Sequence, residues 1–183
     1  HIIHQSTILL QNKNLSEISN IWKTTLKIYQ MLCCCINNIE LVRDKVVKAR
    51  KHYAQRKNKK SGNVNAYTTR TDTTDNNEYI IIYELREMIR ELARIDVELQ
   101  RGAYTEKYVQ EAYEDLREFS QLIDTIKQDT SALENTNVDD VGIMLELLAD
   151  LEANLTSCAN IIAAKNEFIR QFLLQISNDE IIE

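Results

Sequence analysis

The stretch LSEISNIWKTTLKIYQMLCCCINNIELVRDKVVKARKHYAQR, residues 15–56, decides the fold. Its apolar positions run Ile18, Trp22, Thr25, Tyr29, Leu32, Ile36, Ile39, Val42, Val46, Ala49 and Tyr53, spaced by three and four, which is the period of one face of an α-helix. Asn14 followed by Glu17 has the spacing of a capping box, so the helix should start there. At about 1.5 Å per residue the stretch would span on the order of 60 Å, too long to be buried unless other helices of similar length lie beside it.

The rest of the chain supplies such helices. From Glu78 onward Ile82, Leu85, Ile89, Leu92, Asp96 and Leu99 keep heptad spacing, widened by Ile81, Met88 and Ile95 on the adjoining face. A turn at Arg101–Tyr104 and a capping Thr105 open a third helix, whose Val109, Ala112, Leu116, Phe119, Ile123, Ile126, Thr130 and Leu133 form the most regular stripe of all. Asn137, Asp139 and Asp140 then supply a cap and two acids where a helix N-terminus favours negative charge. A fourth stripe follows through Met144, Leu148, Leu151, Leu155, Cys158, Ile162, Lys165, Ile169, Phe172 and Ile176.

With no proline and only Gly62, Gly102 and Gly142 as glycines, helix breakers are nearly missing. The expected fold is therefore all-α: an elongated antiparallel bundle of about four long helices with coiled-coil-like packing, the short turn near Gly102 making antiparallel neighbours. Residues 1–183 read as a single helical domain. Residues 1–13 read as an N-terminal arm, and residues 61–77, rich in Thr and Asn and without periodicity, as a flexible loop between the first and second long helices.

Charge divides the chain. Residues 1–60 sum to +9 and the remainder to −15, which together give the net −6. The cations concentrate in Arg43, Lys45, Lys48, Arg50, Lys51, Arg56, Lys57, Lys59 and Lys60, a candidate interaction surface. Val42, Val46, Ala49 and Tyr53 continue the apolar stripe through this run, so it is the charged end of a core-packing helix, and cations at a helix C-terminus also suit its macrodipole.

Chemistry is sparse. His1, His4 and His52 are the only histidines, no Glu-x-x-His pair exists for a di-iron site, and with three glycines no phosphate-cradling loop is hidden. No catalytic, cofactor or metal site is expected, and the chain reads as a non-enzyme. Cys33, Cys34 and Cys35 lack the spacing that shares a zinc, while Cys35 and Cys158 fall on apolar faces as small core residues. A consecutive triplet is no disulfide framework, which points to an intracellular setting, cytoplasmic or nuclear. No apolar run is long enough to span a bilayer, and the basic segment has too few large apolar residues for peripheral membrane insertion.

Two polar residues interrupt the heptad seams: Asp96 in the second stripe and Lys165 in the fourth. Each is a candidate for setting register or partner choice, the competing reading being a side chain that reaches out to the bundle edge. The expected function is that of a non-enzymatic helical scaffold acting through protein–protein contacts or self-association in a larger assembly. The alternative is a nucleic-acid-associated protein that binds phosphates through Arg43–Lys60.

Overall fold

A computed structural model describes residues 10–59, 74–102, 104–128 and 138–182. The described residues form four long α-helices: α1 (Leu15–Lys59), α2 (Thr74–Gly102), α3 (Glu106–Gln128) and α4 (Val138–Ile182). The all-α bundle read from the periodicity is the fold, with no strand among the described residues. α1 and α4, at 45 residues each, form the spine; α2 and α3 are shorter, at 29 and 23 residues.

The helix starts are capped as their sequences dictate. The Asn14 side chain accepts the Glu17 backbone N–H at 2.7 Å, and the Thr105 hydroxyl accepts that of Tyr108 at 3.3 Å. Gly102 closes α2 without a left-handed backbone, and a Cβ there would meet the Tyr108 ring at 3.4 Å, an ordinary contact, so neither conformation nor packing requires the glycine. α2 begins at Thr74, four residues ahead of the expected Glu78, where Thr74 and Asp75 suit a helix N-terminus. Of the expected loop, residues 61–73 lie outside the described residues, as do residues 1–9 of the expected arm and the stripe positions Thr130 and Leu133. The end of that arm is packed: Leu10 is fully buried.

Side-chain bonds between helices fix their directions. α1 and α3 run parallel, because Asn20 meets Glu106 and Asn38 meets Asp124 at the same offset of 86 residues. α2 and α4 are also parallel: Asp96 lies against Ser157 and Cys158, and Tyr104 beyond the end of α2 stacks edge-on with Phe168, ring centroids 6.3 Å apart. α1 and α4 are antiparallel, with Trp22 and Thr25 beside Asn166 and Arg43 beside Glu152. α4 packs most extensively on α1; α3 lies on α1, and α2 on α4.

The consecutive pair α2 and α3 is antiparallel yet touches only lightly. Both apolar stripes are aimed at the α1/α4 spine, and the flank between them is charged, with Arg94 bonded to Glu91, Glu98 and, across the gap, Asp115 at 3.4 Å. A turn brings helices together, but apolar area decides what they pack on.

One continuous core joins all four helices. In α3 the buried residues are Val109, Ala112, Leu116, Phe119, Ile123 and Ile126, the stripe read from sequence. In α1 the face is rotated: Ile18, Ile21, Thr25, Ile28, Leu32, Cys35, Ile39, Val42 and Val46 are buried, while Trp22 and Ile36 are half-buried and Tyr29 is 37% exposed. In α2 the core takes Ile82, Leu85, Met88, Leu92, Ile95 and Leu99, leaving Ile89 and Asp96 half-buried at its edge.

Candidate interaction surface

The basic run divides where α3 ends. Arg43 pairs with Glu152 of α4 at 2.7 Å, and the Lys45 ammonium donates at 2.6 Å to the Lys127 carbonyl in the last turn of α3. A cation there satisfies an orphan carbonyl and the negative end of the α3 dipole, so both residues belong to the fold. Lys48, Arg50 and Lys51 are exposed and meet no acid among the described residues. Arg56, Lys57 and Lys59 fall within α1 with side chains outside the described residues, and Lys60 lies outside them altogether.

The two seam residues prove to share one contact, the parallel seam between α2 and α4. The Ser157 hydroxyl donates toward both Asp96 carboxylate oxygens at 3.4 Å, and the Cys158 sulfur lies 3.6 Å from one of them. Burial first, and then the Asp96 charge, pushes the Cys158 thiol up to about 12. Eight residues along α4, Lys165 donates at 3.1 Å to the Gln100 carbonyl near the end of α2 and sits 4.8 Å above the Tyr104 ring. Among the described residues its ammonium has no carboxylate in a salt bridge, and burial holds its pKa below the ordinary lysine value. Lys165 thus reaches the bundle edge and caps a helix there, while Asp96 stays in the seam.

Sequence reasoning missed a second polar cluster, in the parallel seam between α1 and α3. Asn38, 7% exposed, donates to Asp124 at 3.1 Å and accepts from the Lys127 ammonium at 3.1 Å. Cys35, one turn before it, is fully buried, and burial lifts its thiol to about 11 against a lowering hydrogen bond with Ser120. A third cluster ties the spine: Asn166 donates to the Trp22 carbonyl at 2.9 Å and to the buried Thr25 hydroxyl at 2.8 Å. The signal for Asn166 was present, since it stands four residues after Ile162 and three before Ile169. Asn38 stands three residues after Cys35 and four before Val42, but on the flank that turns toward α3, and only a three-dimensional neighbour gives that flank meaning.

Each cluster carries few groups able to do chemistry. No set of three or more His, Cys, Asp or Glu among the described residues is placed to hold a metal, and no helix there is long and apolar enough to cross a membrane. Cys34 is exposed and Cys33 half-buried on the outer side of α1. Comparison of the chain with protein-family models, with curated proteins and with solved structures finds no match.

Proposed function

We propose that this chain is a non-enzymatic helical interaction module that docks on an acidic protein surface through the basic end of α1. The observation that carries the reading is the division of the basic run: Arg43 and Lys45 are consumed within the bundle, whereas Lys48, Arg50 and Lys51 stand exposed without an acid among the described residues. Unpaired like charges on one helix raise the energy of the isolated molecule slightly, and an acidic partner recovers that energy at the docking step. The long spine supports the role, because two 45-residue helices joined by the Asn166 cluster and the Arg43–Glu152 pair hold the basic end in a fixed direction. A nucleic acid is the less favoured ligand: residues beyond 60 sum to −15 and would repel a polyanion over most of the surface.

Fluorescence anisotropy separates the two. A labelled Glu/Asp-rich peptide is expected to bind at low salt and to lose at least about tenfold in affinity when Lys48, Arg50 and Lys51 are all changed to Gln. An oligonucleotide of equal charge is expected to bind more weakly. Tighter binding of the oligonucleotide, falling steeply with salt, would replace the protein-docking reading with the nucleic-acid one; binding of neither would remove the basic end as a docking element.

A further inference from the structure

α1 and α3 run parallel at an offset of 86 residues, so Glu111 and Glu114 of α3 lie level with Thr25 and Ile28 of α1. Both glutamates are exposed and, among the described residues, neither is in a salt bridge; Lys107 and Arg117 of the same helix make none with them, and the one bond there is Gln110 to Glu114 at 3.4 Å. Lys48 and Lys51 on α1 are likewise exposed and, among the described residues, unpaired. Each pair is spaced by three residues, which places both members on one side of a helix.

These opposite pairs cannot meet within one molecule. From the level of Ile28 to Lys48 is 20 residues of helix, about 30 Å, several times the reach of a lysine side chain. A second copy running the other way can bridge that distance. An alignment that sets Lys48 opposite Glu114 also sets Lys51 opposite Glu111, because antiparallel helices reverse the order of both pairs. A two-fold axis then makes each contact twice and closes the assembly. The same alignment brings Leu41, 46% exposed, beside Leu122, 50% exposed, on α3 of the second copy, and the exposed Cys34 lies on the same side of α1 as Leu41 and Lys48. Apolar contact at the centre with charged pairs outside it is the usual anatomy of a protein interface.

We propose that this chain forms a two-fold antiparallel dimer in which the Lys48/Lys51 pair of each copy docks on the Glu111/Glu114 pair of the other. The dimer rests on the docking role of the basic α1 end and names a second copy of the chain as the acidic surface.

Sedimentation velocity on the full chain over a range of salt tests it, with circular dichroism to verify that each variant keeps its helicity. A dimer is expected at about 50 mM salt, giving way to monomer toward about 500 mM as screening shortens to a few ångströms. The variants K48E/K51E and E111K/E114K should each weaken the dimer at least about tenfold, and the variant carrying all four changes should recover it, because the charges are then exchanged rather than removed. Alkylation of Cys34 should be slower in the dimer than in K48E/K51E. A monomer at every salt concentration overturns the dimer, as does a four-change variant no better associated than either pair alone. A chain that stays monomeric yet binds the acidic peptide through Lys48, Arg50 and Lys51 leaves the docking role standing and removes only the second copy as partner.

Discussion

The seam between α1 and α3 and the seam between α2 and α4 are both parallel helix contacts with one polar cluster and one buried cysteine, yet their polar groups are matched differently. Between α1 and α3, Asn38 has its amide donating to Asp124 and its carbonyl accepting from Lys127, and Lys45 closes the end of α3. Between α2 and α4, Asp96 accepts one long forked bond from the Ser157 hydroxyl and a contact from the Cys158 thiol, and Lys165 donates a hydrogen bond to a backbone carbonyl. A satisfied cluster fixes one register at small cost, whereas a half-buried charge with weak partners costs desolvation that its bonds return only in part. α3 is therefore the firmly held flank of the spine and α2 the loosely held one, although α2 is the longer helix.

Substitution of Asn38 gives the largest contrast. Asn38→Ala removes both interhelical bonds and opens a small void, and is expected to cost about 2 kcal/mol of unfolding free energy in urea denaturation. A loss within about 0.5 kcal/mol would mean that the cluster does not hold α3.

Each seam carries its own reporter. Cys35 faces α3 and Cys158 faces α2, and both thiols are buried and raised, to about 11 and about 12. Under native conditions an alkylating reagent reaches them only when the seam opens. Cys158 should label at least about tenfold faster than Cys35, after correction for the rates in the unfolded chain, and Cys34 faster than either. Equal rates would show that the bundle opens as one unit.

Replacing the charge in the looser seam should have the opposite sign to Asn38→Ala. Asp96→Leu exchanges a poorly paired carboxylate for apolar contact with α4, and a gain of about 1 kcal/mol is expected in the same denaturation assay. A loss of that size would instead place Asp96 beside Asn38 as a register-setting residue.

The smallest effect is a pH dependence at Lys165. Its pKa in the folded state lies below the ordinary 10.5 through burial, so the folded chain releases this proton before the unfolded chain does. Below both values the ammonium is charged in both states and its burial penalty is present in full. As pH climbs through the folded value toward 10.5, the penalty is relieved and stability rises. Lys165→Met should lack that rise, which a comparison of urea midpoints across the alkaline range detects; parallel curves for the two proteins would show that the ammonium is solvated.

The site was half legible. Asp96 and Lys165 could be picked out because a charge in an apolar heptad is visible in one dimension, but that they serve the same seam was not, since 69 positions separate them along the chain. The nine cations could be counted, and their division into structural and free members could not. That division depends on α3 ending beside Lys45 and on Glu152 arriving opposite Arg43 from α4.

By itself the sequence determined that the fold is all-α, where α1 and α3 are capped at Asn14 and Thr105, and which face of α3 is buried. Those properties are local: hydrogen bonding within four residues, capping within three, and a stripe narrow enough to have one reading. Tertiary structure alone decided the pairing, with α3 on α1 and α2 on α4, and with it the rotated core face of α1, whose stripe is too broad to name one neighbour. It decided as well which of the basic residues remain free, because a long side chain takes its role from the acid or carbonyl that another helix brings within reach.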